Sequence, residues 1–237
     1  MISILRIVQA MVINGITIYG VFGAQWTVGT AIALYWSENV IGIILISLRF
    51  LLHRALTHKR GHSRGVLRDF VAVTSVFTAA HGIFVFLFIG LVFPKVAPQE
   101  AFDVASFKLG LLMIGSVMLL GFLVDAVAMK NTPFAAVRFA ADAFMPRVLV
   151  VHLTIIFGML AMLIFGHARA LFAVFAALKF LADMISRAPK EFGERPPRWF
   201  VWLARRTGDQ NVLETWRQKR EGQLARIADD ELPMAGT

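Results

Sequence analysis

Long apolar stretches alternate with short polar links along most of the chain. Six such stretches occur, at residues 4–22, 27–48, 70–93, 107–127, 148–165 and 170–185. Each is close to the roughly 20 residues that an α-helix needs to cross the hydrocarbon core of a bilayer. The pattern therefore predicts an all-α membrane protein, a bundle of six transmembrane helices.

The first apolar stretch has the position of a signal peptide but not its composition. Its basic region is the single residue Arg6, and its apolar run exceeds the roughly 7–15 residues typical of a signal sequence. We interpret it as an uncleaved first helix. Trp26 in the following link, and Trp36 after it, suit an aromatic belt at the membrane surface. An alternative is an interfacial helix over residues 24–36 that precedes the second span.

The distribution of positive charge among the links sets the orientation. Lys and Arg concentrate in the link 53–68, in the link that holds Lys130, Arg138 and Arg147, and in the tail from residue 187. The intervening links, 94–103 and 166–169, carry few of them. Because basic residues accumulate in cytoplasmic loops, this alternation predicts that both termini lie in the cytoplasm.

We expect two units, a transmembrane domain at residues 1–188 and a basic cytoplasmic tail at residues 189–237. Pro196 and Pro197 stop any helix that continues from the last span. Aromatic and basic residues then alternate, namely Arg198, Trp199, Phe200, Trp202, Leu203, Arg205 and Arg206. This pattern suits an amphipathic helix on anionic lipid headgroups, with an ordinary soluble helix as an equal alternative. The polar residues beyond 220 are expected to fray.

The amino-acid composition is typical of a protein that is surrounded by lipid. Hydrophobic residues make up 58% of the chain and charged residues 16%, against about 45–50% and about 25% in soluble domains. Cysteine is absent, which excludes disulfides and thiolate metal sites and leaves His and carboxylates as metal ligands. The net charge of +9 follows from the basic cytoplasmic links, so no nucleic-acid partner is expected. The lipid bilayer is the predicted partner, and self-association is left open.

Polar side chains recur inside the apolar stretches, where an ionised group at the helix centre costs about 2.5–3.5 kcal/mol. Glu38, His81 and Lys179 fall near the middle of their spans. The full set comprises Asn14, Glu38, Asn39, His81, Asp125, Arg147, His152, Lys179 and Asp183. Such groups are expected to face the bundle interior and to pair with one another.

Two subsets of these polar residues have simple structural explanations. Lys179 and Asp183 are four residues apart, the spacing of an ion pair on one helix face, and we interpret them as structural. Asp125 and Arg147 lie near the predicted cytoplasmic surface, where snorkelling or pairing with backbone and headgroups is the common role.

Glu38, His81 and His152 allow three interpretations. One carboxylate and two imidazoles from three spans are a ligand set that zinc or another divalent ion accepts, with a fourth position open for water. The same groups could relay protons, since imidazole titrates near neutrality. They could also form a hydrogen-bonded polar core that fixes helix packing. No local motif such as His-Glu-x-x-His decides between them, and the motifs of rhomboid and aspartyl intramembrane proteases are missing.

Three short runs resemble a family of polytopic prokaryotic membrane proteins known only as a domain of unknown function. They are Tyr35-Trp36-Ser37-Glu38-Asn39-Val40, His81-Gly82-Ile83-Phe84 and Arg147-Val148-Leu149-Val150-Val151-His152. The stretch from Leu178 and Lys179 to Asp183 is similar as well. The resemblance covers about residues 4–192 and implies the inner membrane of a bacterium. After Asp183 the family pattern leads us to expect a further His, where this chain reads Met184-Ile185-Ser186.

The sequence thus predicts an inner-membrane protein with a polar site that opens towards the cytoplasm. Our first hypothesis is a divalent-metal site at Glu38, His81 and His152, with Glu38 as the catalytic residue of an intramembrane metal-dependent hydrolase. The first alternative is a small transporter coupled to protons or metal ions. The second is a structural membrane subunit without a catalytic site.

Overall fold

A computed structural model describes residues 2–144, 168–186, 201, 206 and 212–234. The predicted fifth span, with Arg147 and His152, lies outside the described residues. So does most of the aromatic segment of the tail between residues 198 and 206.

Regular structure in the described ranges is helical. The described α-helices are α1 (Ile2–Phe22), α2 (Val28–Thr57), α3 (Val66–Leu87), α4 (Phe93–Val96), α5 (Val104–Val127), α6 (Phe134–Asp142), α7 (Ala168–Ser186) and α8 (Val212–Asp230). A π-helical turn, Phe88–Val92, joins α3 to α4. Short 3-10 turns occur at Arg60–Arg64, Pro98–Glu100 and Met129–Asn131.

Among the described residues, four helical segments are long and apolar enough to cross a membrane, judged by length and composition. They are Leu5–Phe22, Val28–Thr57, Val66–Lys95 and Pro98–Val127. Their outward surfaces expose large apolar side chains such as Val76, Leu112 and Val127, of which 69%, 68% and 90% is accessible. Contiguous apolar surface of this kind is favourable in contact with lipid and unfavourable in contact with water. α7 carries three charged side chains, Arg169, Lys179 and Asp183, within its 19 residues.

α2 is the central helix, and α1, α3, α5, α6 and α7 pack against it. Thr27 caps its first turn by accepting a hydrogen bond from the Thr30 N–H. Its 30 residues span about 45 Å at 1.5 Å per residue, more than a hydrocarbon core of about 30 Å. The helix continues beyond the predicted apolar span, which ends at residue 48, to Thr57. His58, in the left-handed conformation, closes the last turn by donating its N–H to the Arg54 carbonyl.

The prediction of an aromatic belt at Trp26 and Trp36 was wrong. Trp26 is buried against Gly20 and Gly110. Trp36 packs on Gly82 of α3 and donates its indole N–H to the Thr78 carbonyl at 2.9 Å. Because α2 begins directly at Val28, the alternative of an interfacial helix over residues 24–36 was wrong as well. Glycines on the facing helices create the space that these rings occupy.

The widened turn at the end of α3 follows from Pro94. Proline has no N–H to donate to the carbonyl four residues earlier, and its ring clashes with that carbonyl. The Phe93 N–H bonds instead to the Phe88 carbonyl, five residues back. The helix therefore continues through a π turn into α4 rather than stopping.

The bundle has two ends, which we name by their residues. At the Glu100 end, the Glu100 carboxylate accepts the Val28 N–H and the Arg169 Nε–H, each at 3.0 Å. It thereby joins the start of α2 to the start of α7. The tail end holds the far end of α2, the turn at Arg60–Arg64, α6 and the C-terminal segment.

Residues 221–234 of the C-terminal segment are docked on the tail end, so the expectation that the chain frays beyond residue 220 was wrong for these residues. Asp229 accepts a hydrogen bond from Arg60 at 2.7 Å and also pairs with Arg64. Asp230 pairs with Arg64 at 2.7 Å, and Glu231 pairs with Lys59. Hydrogen bonding to Arg60 holds the pKa of Asp229 below its ordinary value. Acidic residues of the tail therefore offset part of the charge of the basic link.

Backbone hydrogen bonds reinforce this docking. The Arg60 N–H bonds to the Leu232 carbonyl at 2.7 Å, and the Met234 N–H bonds to the His58 carbonyl at 2.9 Å. Glu231 also accepts the Phe134 N–H at 2.5 Å, which satisfies the first turn of α6. The tail thus fixes α6 against the end of α2.

A histidine pair lies beneath the docked tail. His53 Nε2 lies 2.9 Å from the Thr132 carbonyl, which can only accept, so this nitrogen carries the proton in the neutral ring. His53 Nδ1 therefore accepts from His62 Nε2 at 2.7 Å. Burial, together with the neighbouring His53, Arg54 and Lys59, lowers the pKa of His62 to about 4. His62 is accordingly neutral near pH 7 and acts through packing and hydrogen bonding.

Candidate functional site

Four polar side chains from three helices meet in the middle of the bundle, and we call them the buried network. The Lys179 ammonium on α7 lies 3.0 Å from the Glu38 carboxylate on α2 and 3.1 Å from the Asp183 carboxylate. Lys179 also donates to the Asn14 Oδ1 at 3.0 Å, and the Asn14 Nδ2–H donates to Asp183 at 2.8 Å. Lys179 is thus bonded to each of the other three members.

The network is almost completely shielded from its surroundings. Glu38 and Asp183 are each 2% exposed, Asn14 is 4% exposed and Lys179 is 6% exposed. Charges buried to this degree are tolerated only when they are paired and hydrogen-bonded. The Lys179 ammonium in addition lies 5.4 Å from the centre of the Tyr35 ring, a cation–π distance.

The sequence anticipated part of this network. The ion pair between Lys179 and Asp183 is present with the expected i,i+4 spacing. The bond from Lys179 to Glu38 was not predicted, since Glu38 was matched with histidines instead. The sequence feature that could have indicated this contact is depth in the membrane, because Asn14, Glu38 and Lys179 all fall near the middle of their predicted spans.

His81 and Asn39 are also buried, and each bonds to a carbonyl of its own helix. His81 Nδ1 lies 2.6 Å from the Phe77 carbonyl, so Nδ1 carries a proton and Nε2 is the acceptor of the neutral ring. Asn39 donates to the Tyr35 carbonyl at 3.2 Å. Both side chains therefore satisfy a carbonyl one helical turn back.

The metal hypothesis for Glu38, His81 and His152 stays a prediction, since His152 lies outside the described residues. Within the ranges that the structure describes, no three His, Asp or Glu side chains are grouped closely enough to hold a metal ion. The Glu38 carboxylate does have a cation beside it, which is the Lys179 ammonium.

Asp125 pairs with two arginines near the tail end. Its carboxylate lies 2.8 Å from Arg49 on α2 and 3.5 Å from Arg6 on α1. The sequence led us to expect snorkelling of Asp125 or its pairing with backbone and headgroups, whereas the structure pairs it with arginine side chains. Neither arginine had been assigned to a site, because the sequence marked Arg6 and Arg49 only as the ends of apolar stretches.

A cavity of about 160 Å³ begins at Glu38 and extends to these arginines, and we call it the tail-side cavity. On α2 its wall consists of Glu38, Gly42, Leu45, Ile46 and Arg49. Their spacing of three and four residues places them on one helix face. α1 contributes Arg6, Gln9 and Ile13 with the same periodicity.

A second and much smaller cavity, of about 10 Å³, touches the other side of the network. It is lined by Asn14, Thr17, Ile18, Tyr35, Phe172, Phe175, Ala176 and Lys179. Thr17, Tyr35 and the α7 residues lie towards the Glu100 end, so we call it the Glu100-side cavity. Its volume is near the smallest that a single water molecule occupies.

This arrangement can hold and release a proton. Among the described residues the network contains two carboxylates and one ammonium, so one added proton would balance its formal charge. A net charge in a low-dielectric interior is costly. Because the network separates two cavities, a proton bound there could exchange with either side.

Comparisons with known proteins give one result. No match is found to this chain among curated proteins or among solved structures. A family model matches residues 2–213, and these include all four network residues and both arginines of the tail-side cavity. The chain belongs to this family, which is described as a family of unknown function, DUF6498.

Proposed function

We propose that this protein is a proton-coupled membrane transporter in which the buried network carries the proton. The observation that supports this function most directly is the bond between Lys179 and Glu38, 3.0 Å long and sealed between two cavities. Ionisable residues inside membrane helices commonly form proton pathways in pumps and transporters. Glu38 is the member that lines the larger cavity, so it would exchange protons on that side.

The position of Lys179 favours a proton over a metal ion as the coupled species. A divalent cation at Glu38 would have to lie beside an ammonium group, at a strongly repulsive distance. A proton on either carboxylate is repelled less strongly by the ammonium, because it neutralises the acid and does not add a second compact cation. For the same reason we place metal-dependent hydrolysis at Glu38 below transport.

We expect Glu38→Gln to abolish proton transfer while leaving the fold intact, because the amide fills the same space but cannot carry a proton. The measurement uses proteoliposomes with a pH-sensitive dye inside, a step in external pH, and a potassium ionophore to hold the membrane potential constant. Proton flux should fall by roughly 10²-fold, the lower range for removal of a positioned proton-transfer group.

Glu100→Gln is the matched control for this experiment. Glu100 is also a buried carboxylate paired with a cation, but it lies at the Glu100 end, outside the network. Its variant should retain wild-type flux. Equal flux in wild type and Glu38→Gln would refute the proposal. If Glu38→Gln lowered thermal stability without any change in flux, the network would be a structural polar core.

We further propose that the tail end faces the cytoplasm of a bacterial inner membrane. Lys59, Arg60 and Arg64 cluster at this end, in agreement with the preference of basic loops for the cytoplasmic side. The chain has no cysteine, so single cysteines can report on topology. In intact cells with a permeabilised outer membrane, an impermeant maleimide should label Gln99→Cys and not Ser63→Cys. The opposite labelling would invert the topology.

A further inference from the structure

The wall of the tail-side cavity furthest from Glu38 carries excess positive charge. Arg6 and Arg49 both line the cavity. In the part of the chain that the structure describes, these two guanidinium groups share the single carboxylate of Asp125. Glu38, the other acid on the cavity wall, is bonded to Lys179. The arginine end of the cavity is therefore suited to an anion.

Arg49 has hydrogen-bonding capacity that the protein leaves unused. Its Nε–H is buried and has no hydrogen-bond partner among residues 2–144, 168–186 and 212–234. A guanidinium group has five N–H donors, and a buried charged donor without an acceptor is costly. Its Nη2 is bonded to Asp125 at 2.8 Å, which fixes the orientation of the group. A hydrogen-bond acceptor bound in the cavity would remove the free-energy cost of burying the Arg49 Nε–H without a partner.

The volume of the cavity suits a small ligand. Its volume of about 160 Å³ is similar to that of an apolar cavity, about 150 Å³, that accommodates benzene in another protein. Gly42, Ala140 and Ala143 contribute small side chains to the wall. A phosphate group, which is smaller than benzene, would fit with space for attached atoms or water.

We propose that the tail-side cavity binds a phosphate-type oxyanion, held by Arg49 and Arg6. Planar guanidinium groups match the geometry of phosphate oxygens and bind them through parallel charge-assisted hydrogen bonds. Arg49 lies eleven residues beyond Glu38, or about 16 Å along α2. Arg49 and Glu38 are therefore far apart along the helix, so anion binding can be measured separately from proton transfer.

Two sources could supply such a group, a phosphate-containing solute or the headgroup of an anionic phospholipid. Titration calorimetry with inorganic phosphate, on protein in a non-ionic detergent, detects the solute. Native mass spectrometry of protein released from nanodiscs of phosphatidylglycerol and phosphatidylcholine detects retained anionic lipid. Wild-type protein should give a positive result in one of these two measurements.

Arg49→Gln should weaken the observed binding by about tenfold or more, since it removes the charge-assisted contacts. Because the substitution also breaks the pair with Asp125, a second variant tests the site without changing any charge. Ala140→Leu fills the cavity and should abolish binding with Arg6, Arg49 and Asp125 in place. Arg68→Gln is the control, since Arg68 is an exposed arginine whose side chain is 83% accessible.

The outcomes are distinguishable. Phosphate binding that is lost in Arg49→Gln and Ala140→Leu identifies a solute site. Retention of phosphatidylglycerol that is lost in the same variants, without phosphate binding, identifies a headgroup site. Absence of both signals in the wild type, or binding that Ala140→Leu leaves unchanged, overturns the proposal. Loss of proton flux in Glu38→Gln with normal anion binding would separate this site from the proton network.

Discussion

Replacing Lys179 with methionine should destabilise the protein by about 3–5 kcal/mol, the usual cost of removing one partner from a buried ion pair. The substitution leaves Glu38 and Asp183, each 2% exposed, without their shared ammonium. It also removes the donor to the Asn14 carbonyl oxygen. Methionine matches the length of lysine and keeps the contacts along the helix, so the loss reports mainly on charge. Reversible unfolding in mixed detergent micelles measures it.

Lys108→Met is the matched control, because Lys108 lies exposed on α5. An exposed substitution of this kind usually changes stability by less than about 0.5 kcal/mol. The double variant Glu38→Gln/Lys179→Met then tests whether Glu38 is responsible for part of the cost. It should be more stable than the sum of the two single changes implies, with a coupling of about 0.5–3 kcal/mol. Strictly additive effects would contradict a direct interaction between the two side chains.

Gly29→Ala should destabilise the protein by about 3 kcal/mol or more, at or above the upper range for overpacking. A Cβ atom at this position would lie 1.6 Å from the Ala101 carbonyl oxygen and 2.7 Å from the carbonyl carbon. Because the obstacle is backbone, no change of rotamer can relieve it. The start of α2 and the segment around Glu100 must separate, which also strains the bond from the Val28 N–H to Glu100.

Gly15→Ala is the same substitution at a site with space. Nothing lies within 4 Å of a Cβ atom built on Gly15 in α1. Alanine is favoured over glycine in a helix by about 0.5–1 kcal/mol, so this variant should be neutral or more stable. The two changes are thus expected to have opposite signs in thermal unfolding experiments. A tolerated Gly29→Ala would mean that α2 and the Glu100 segment are further apart than the structure has them.

The proposed transporter has two functional regions, the buried network and the tail-side cavity. Glu38 belongs to both, since it is bonded to Lys179 and also lines the tail-side cavity. An anion held at Arg49 would add negative charge to the cavity in which Glu38 must release its proton. This electrostatic link is a physical route by which anion binding and proton transfer could influence each other.

Local features of the sequence were sufficient for the class of protein and for most of its helices. A run of about 20 apolar residues has few alternatives to a membrane helix, because backbone polar groups in lipid must be satisfied within the segment. The helices at Ile2–Phe22, Val28–Thr57 and Val104–Val127 therefore lie where hydropathy predicts them. The apolar stretch at residues 27–48 is shorter than the helix Val28–Thr57, because hydropathy marks the apolar part of a helix and not the residue at which its hydrogen bonding ends.

Hydropathy and spacing also placed polar residues inside the predicted spans, but they did not identify the partners of these residues. The sequence placed Glu38, Lys179 and Asp183 inside spans, and only the tertiary structure decided that Lys179 bonds to Glu38 rather than to Asp183 alone. Which faces of two distant helices meet depends on their rotation and on the packing of every neighbour. The pair of Arg49 with Asp125 and the docking of Asp229 on Arg60 were undetermined for the same physical reason, since each joins segments far apart in the chain.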